Sequence, residues 1–347
     1  MLLVCLGLGL VGRAGRPDPS AVVLELMAEG NIPGLSAAVT VGGELVWTDG
    51  LGSTYPESGE QRYLATADTA FTFASVSKTI TGVAVLMLRE RGLLDVEADV
   101  NTILPYQVAR RGITTAQLMS KCSRSLSGFL ASLKGAAIPL RLPSKPQSSR
   151  CAAHTSSITD DYYFTIPTDE LYVDGDPVMG LEEFNREIFT VGGRWISDLT
   201  FVGSPGERFD YSNIGSSLAA CVVEQVARAA GLAPDYNTFV VEHIFAPLGV
   251  SPLAGSHYLR DFDGEMEPPL GALPSDFWRN SWESFPHYSV PDYPNGFWRS
   301  SSQTYAVLLG MVANRGEWGG VRLLSEASIE FLEERAPPPA NDRGRQG

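Results

Sequence analysis

The chain reads as a mixed α/β protein, and three stretches carry that reading. Ala21 to Gly30 has the pattern of a helix, and Leu35 to Asp49 alternates as a hairpin with its turn at Gly42-Gly43. Thr79 to Leu88 is a second helical run, apolar on nearly every face and so expected to be buried. Two further helical runs, Ser301 to Ala313 and Ser325 to Glu334, follow a long loop-rich middle. The expected organisation is an α/β layer made of residues 18–95 and 296–335, with residues 96–295 as a helical and loop-rich subdomain.

Taken from the start, Leu2 to Val11 is an apolar run followed by Arg13 and Arg16. It is too short to span a bilayer, and it lacks a basic segment ahead of it, though its length suits a signal-peptide core. Residues 1–17 therefore read as a signal segment or an incomplete N-terminus, a weak case for secretory entry that leaves the compartment open. No other run is long and apolar enough to cross a membrane, and no internal repeat occurs. The helix from Thr79 closes on Arg89, Glu90 and Arg91 and then Gly92, with basic residues in its last turn and a residue free to take the left-handed cap conformation.

Ser75-Val76-Ser77-Lys78 stands at the head of that helix. A serine three residues before a lysine puts both side chains on one side of a helical turn, a nucleophile beside its base. Unpaired N–H groups at a helix start favour an anion forming there. An amine serves as base only when neutral, which burial or a neighbouring cation promotes. A second element is Pro205-Gly206-Glu207-Arg208-Phe209-Asp210-Tyr211-Ser212-Asn213. It runs from a Pro-Gly turn into an extended piece and then into an apolar helix from Ile214 to Ala230, stopped by Gly231. Alternate residues of an extended segment point the same way, so Tyr211 and Asn213 are expected to face one cleft. Asn213 also suits a plain helix N-cap. Tyr293-Pro294-Asn295 repeats the spacing in a proline-rich loop and reads as coincidence.

Ser75-x-x-Lys78 followed by Tyr211-x-Asn213 resembles the serine β-lactamase and penicillin-binding-protein family, in its class C and D-alanyl-D-alanine carboxypeptidase-like branch. Ile32-Pro33-Gly34, Thr69-Ala70-Phe71, Leu93-Leu94-Asp95 and Ile244-Phe245-Ala246-Pro247-Leu248-Gly249 look like landmarks of that branch. The resemblance spans roughly residues 20 to 335. It implies a β-lactamase/transpeptidase-like fold, an antiparallel sheet flanked by helices plus a helical subdomain, with the cleft between the two parts. It also implies acyl transfer to an amide or ester of a small molecule, with Ser75 as nucleophile, Lys78 and Tyr211 as acid/base groups, and Asn213 holding the substrate amide or Lys78. No cofactor is implied.

Two departures stand out. The family carries a late Lys or His, a small residue and Gly on a strand that lines the cleft, and no such triplet follows Tyr211. That strand supplies an oxyanion donor, whose loss costs on the order of 10²–10³ in rate. The last strands are thus expected to be missing, and residues 336–347, which open with Ala336-Pro337-Pro338-Pro339, to be a disordered tail. Secondly, Ile113 to Ser120 resembles a segment that runs straight into His-Thr-Ser, yet His154-Thr155-Ser156 arrives 33 residues late. The stretch 121–153 carries six Lys/Arg and no acid, against 20 basic and 40 acidic residues elsewhere. It reads as a disordered insert or retained intron rather than a folded module.

Composition narrows the alternatives. A hydrophobic content of 44% is that of a globular chain, and a net charge of −14 argues against nucleic acid. Cys5, Cys122, Cys151 and Cys221 make neither a disulfide framework nor a zinc spacing, and His154, His243, His257 and His287 show no ligand spacing, so no metal is expected and the histidines read as structural. No serine is flanked by glycine two residues on each side, which removes the α/β-hydrolase elbow. The aromatic stretch Phe277 to Trp298 fits either the rim of an acyl pocket or a packed covering loop. Two readings remain: a serine hydrolase that forms an acyl-enzyme on Ser75, or a catalytically impaired or truncated relative that serves as a binding or scaffold protein.

Overall fold

The computed structural model describes residues 19–54, 64–119, 155–160, 166–198, 200–207, 210–262, 273–276, 281–283 and 288–333. Helix α1 (Pro19–Glu29) leads into β1 (Gly34–Val41) and β2 (Glu44–Gly52), which pair antiparallel from Gly34↔Gly52 to Val41↔Glu44 with one irregularity at Val39/Thr40. The turn between them needs two successive left-handed residues, and Gly42 and Gly43 supply them with φ of 61° and 83°. Leu35 and Ala37 pack with Met27 of α1, while Ser36 on the opposite face meets Ser302, hydroxyl to hydroxyl at 2.6 Å. Covered on both faces, β1 has no need of a polar side, which accounts for its nearly unbroken apolar sequence.

The chain continues through β3 (Phe71–Thr72) into a 3₁₀ turn at Ala74–Ser77 and then α2 (Lys78–Glu90). Ile80 to Leu88 are all buried, as the all-round apolar sequence requires. Helices α3 (Thr115–Met119), α4 (Thr168–Leu171) and α5 (Leu181–Phe189) follow, with β4 (Val173–Asp174) between the last two. Helix α6 (Asn213–Ala229) packs against α2 and α5, and its apolar residues join theirs in the main core. Then come α7 (Tyr236–Val240), α8 (Pro252–Gly255) and the short strands β5 (Leu273–Asp276), β6 (Ser281–Glu283), β7 (Tyr288–Ser289) and β8 (Arg299–Ser300). Helix α9 (Ser302–Ala313) returns across β1 and β2, and β9 (Glu317–Trp318), β10 (Val321–Arg322) and α10 (Glu326–Glu333) end the described chain. The architecture is an α/β fold of antiparallel sheets flanked by helices, with a further helical part.

Strand β8 pairs with β3 through Phe71↔Ser300 and Thr72↔Arg299, and the Phe73 N–H continues the ladder to the Trp298 carbonyl at 2.9 Å. This short ladder brings residues 295–300 against the segment that carries Ser75. The aromatic stretch divides: Tyr293 and Trp298 are buried in the core, whereas Tyr288 is exposed and lies edge-on to Tyr172 and to Phe297. Phe277, Trp278 and Phe285 of that stretch lie outside the described residues. So do residues 1–17, the segment 121–153 and the tail 336–347. The described chain on either side of that segment is tied together, the Thr155 N–H donating to the Gln117 carbonyl at 3.2 Å.

Among the described residues no helix is long and apolar enough to cross a membrane, and no cluster of His, Cys, Asp or Glu has the make-up of a metal site. His243 Nε2 lies 3.1 Å from the Leu232 carbonyl. His257 is fully buried between the Tyr236 and Tyr293 rings, with Nδ1 at 3.1 Å from Asn237 Oδ1 and Nε2 unbonded. Burial, and after it the Arg299 guanidinium, hold its imidazole down at about 3, from 6.5. A folded pKa below the unfolded one means stability is complete above pH 6.5 and drains as pH falls toward the folded value. Between pH 6.5 and about pH 4 the parent is expected to lose about 1.4 kcal/mol per pH unit more than His257→Gln, which keeps a donor for Asn237. Urea unfolding of both across that range checks this, and superimposable profiles would remove His257 as the cause.

Candidate active site

Ser75 lies in the 3₁₀ turn rather than in α2 itself, and Lys78 is the first residue of α2. The tighter turn still leaves the two on one side, with Lys78 Nζ 3.2 Å from Ser75 Oγ. Ser75 is exposed while Lys78 is only 4% exposed, so the hydroxyl faces solvent and the amine backs it from inside. The residue before Ser75 is in an unusual state. Ala74 has φ of 46°, a left-handed conformation that costs an L-residue on the order of 1–2 kcal/mol. It is pinned between the β3–β8 ladder and the 3₁₀ turn, and Ser77 Oγ ties that turn to β8 by accepting the Trp298 N–H at 3.2 Å. Ser75 is the second residue of the 3₁₀ segment, where backbone N–H groups have no acceptor within the helix itself.

The second sequence element meets the first. Tyr211 Oη is 2.7 Å from Ser75 Oγ and donates to Asn213 Oδ1 at 3.2 Å. The Lys78 amine donates to that same Asn213 Oδ1 at 2.8 Å and to the Asn295 carbonyl at 2.5 Å, and it stands 5.3 Å from the Tyr211 ring centre. Ser75, Lys78, Tyr211 and Asn213 are therefore one hydrogen-bonded cluster, although Ser75 and Tyr211 are 136 residues apart in sequence.

Asn213 is not the cap of α6. That place belongs to Ser212, extended at φ −140°, whose Oγ accepts the Gly215 N–H at 2.8 Å. The Asn213 side chain is thus free of backbone capping and faces Lys78 on one side and Asp160 on the other. The Asp160 carboxylate accepts the Asn213 N–H at 2.7 Å, Asn213 Nδ2 at 2.9 Å, Ser212 Oγ at 3.0 Å and the Ile214 N–H at 3.3 Å. Burial raises the Asp160 carboxyl above its ordinary range, against the pull of those donors and of the Lys78 charge.

Two groups at this cluster were not legible beforehand. Asn295, set aside with the Tyr293-Pro294-Asn295 repeat, contributes its backbone oxygen to Lys78, and a carbonyl has no residue signature. Its repeat partner Tyr293 is a fully buried core ring, whose phenol oxygen accepts from Tyr258 at 3.2 Å. Asp160 lies 52 residues before Ser212 and belongs to neither motif, so residue order carries no sign that it meets the cluster.

Comparisons with known proteins fit this arrangement. A family model described as Beta-lactamase matches residues 20–131, a span that holds Ser75 and Lys78. Serine beta-lactamase-like protein LACTB, mitochondrial, from Bos taurus is 35% identical over 97 residues, covering 26% of this chain and 17% of that protein. Protein flp from Staphylococcus aureus is 22% identical over 284 residues, covering 80% of this chain and 45% of that protein. The chain thus spans less than half the length of these curated relatives. Among solved structures, a penicillin-binding protein from Bacillus halodurans superposes with a TM-score of 0.56 at 19% identity, over 89% of this chain and 76% of that one. The octameric penicillin-binding protein homologue from Pyrococcus abyssi gives 0.55 at 21% identity, over 90% and 58%. At such identities the superpositions speak for the fold alone. Residues 20–131 thus match the Beta-lactamase family in sequence, and the described chain has the fold of the penicillin-binding proteins.

Proposed function

We propose that this chain is a serine hydrolase that forms an acyl-enzyme on Ser75 and hydrolyses an amide or ester. The observation that carries the reading is the placement of Ser75 Oγ within 3.2 Å of the Lys78 amine and 2.7 Å of the Tyr211 phenol. A neutral amine has two N–H bonds and one lone pair. The two amide oxygens at Lys78, Asn213 Oδ1 and Asn295 O, accept its N–H bonds and leave the lone pair for the Ser75 proton. Ser75 Oγ then bonds to the substrate carbonyl carbon, its proton passes to Lys78, and the Ser75 N–H meets the oxyanion. As the intermediate collapses, the bond to the amine or alkoxide breaks and the leaving group takes a proton relayed through Tyr211. Water next attacks the ester carbonyl with Tyr211 or Lys78 as base, releasing the acid and restoring the Ser75 hydroxyl.

The test is covalent labelling. The purified chain is incubated with a fluorescent penicillin and, separately, with a fluorophosphonate, and the modified peptide is located by mass. The expected result is one adduct on Ser75 in the parent and none in Ser75→Ala. Equal silence from both, alongside a folded circular dichroism spectrum, overturns the proposal in favour of a non-catalytic binding relative.

A further inference from the structure

Asn213 can serve Lys78 and Tyr211 only with its oxygen turned toward them. A carboxamide has one acceptor end and one donor end, so its orientation decides whether the cluster is bonded or repelled. On the oxygen side stand two donors, Lys78 Nζ at 2.8 Å and Tyr211 Oη at 3.2 Å. On the nitrogen side stands Asp160 Oδ2 at 2.9 Å, an oxygen that only accepts when the carboxyl is ionised. Rotating the amide by a half-turn would set N–H bonds against the amine and phenol, and an oxygen against a carboxylate. Lys78 and Tyr211 contribute to this preference, but both take part in the proton movements proposed above and change their hydrogens during a cycle. Asp160 does not touch Ser75 and keeps its four donors throughout.

We infer that Asp160 is a positioning residue for the Ser75 cluster, holding the Asn213 carboxamide with Oδ1 toward Lys78 and Tyr211. The competing role for Asp160 is purely structural, an acid at the start of α6. Ser212 already caps that helix through Gly215, and an acid serving α6 has no need of the Asn213 side-chain nitrogen. The kinetic half of the inference rests on the hydrolase reading, whereas the orientational half stands without it.

The experiment has two arms. In the first, fluorophosphonate labelling of Ser75 is followed at several probe concentrations in the parent, Asp160→Ala, Asn213→Ala and the double variant. Asp160→Ala is expected to slow the inactivation step by about 10- to 100-fold, the scale of a displaced catalytic group, with little change in probe affinity. In the Asn213→Ala background, which has no carboxamide to orient, the same change should slow it by no more than about threefold. An equal drop in both backgrounds marks a structural acid and overturns the inference. In the second arm, hydrogen exchange of the Asn213 side-chain NH₂ is measured by NMR in Ser75→Ala, with and without Asp160→Asn. Strong protection that is lost on the Asp160→Asn change is the expected result, and unchanged exchange overturns the inference. If Ser75 of the parent is never labelled, the hydrolase reading fails and the exchange arm decides alone. Asp160→Asn also stands in for the alanine variant should that one fail to fold.

Discussion

Lys78→Met is expected to slow acylation of Ser75 by about 10²- to 10⁴-fold, the range that a positioned general base supplies. The amine is the only nitrogen within hydrogen-bond reach of Ser75 Oγ among the described residues, and methionine keeps most of the length of the stem while removing the basic nitrogen. Stability should move far less. The Asn295 carbonyl loses its Lys78 donor in a buried place, at about 1–3 kcal/mol, while Asn213 Oδ1 retains Tyr211. Relief from burying the amine offsets part of that. The comparison to make is the labelling rate against the urea midpoint in one set of samples. A rate within about threefold of the parent, with Ser75 still the labelled residue, excludes Lys78 as the base and moves the role to Tyr211.

Much of this cluster could be read from residue order because its side chains sit on local patterns. Ser75 and Lys78 are one turn apart, and any helical or 3₁₀ geometry brings them together. The hairpin at Gly42-Gly43 and the buried run from Ile80 to Leu88 were legible for the same reason: a period of two, a pair of glycines, or an unbroken apolar face is written in consecutive residues. Asn213 was ambiguous because serine and asparagine are about equally good caps, and only the coordinates place Ser212 in that role. The left-handed Ala74 had no sequence cue, since alanine is not a residue that marks such a conformation. It is enforced from outside by the ladder to β8, a partner more than 220 residues away. The Asn295 oxygen reaches Lys78 across 217 residues and the Asp160 carboxylate meets Ser212 across 52, contacts that only the folded chain makes. What escaped the sequence was therefore the second layer of the cluster, the groups that aim the first.

Trp298→Ala is expected to cost about 3–5 kcal/mol, the scale of deleting a large buried aromatic ring, and to abolish Ser75 labelling under conditions where the parent is labelled. Trp298 has no exposed surface. Its ring stacks on Phe245 at 5.1 Å and 8°, and it meets Phe73 at 4.7 Å and Tyr305 at 6.0 Å. Its indole N–H is satisfied by the Gly255 carbonyl at 3.1 Å, so truncation also orphans that acceptor. Beyond stability, the backbone of this residue is the link between the two sides of the site: its carbonyl takes the Phe73 N–H and its N–H goes to Ser77 Oγ. A collapsed or shifted strand there releases Ala74 from its left-handed conformation and withdraws the Asn295 oxygen from Lys78. Trp298→Phe keeps an aromatic stack while giving up the indole donor, and should cost less than the alanine variant while retaining some labelling. Urea unfolding gives the energies and labelling at low denaturant gives the second readout. An alanine variant destabilised by less than about 1 kcal/mol would mean that the Phe73–Phe245–Tyr305 cluster closes over the gap by itself. The claim that Trp298 holds the Ser75 turn in place would then be wrong.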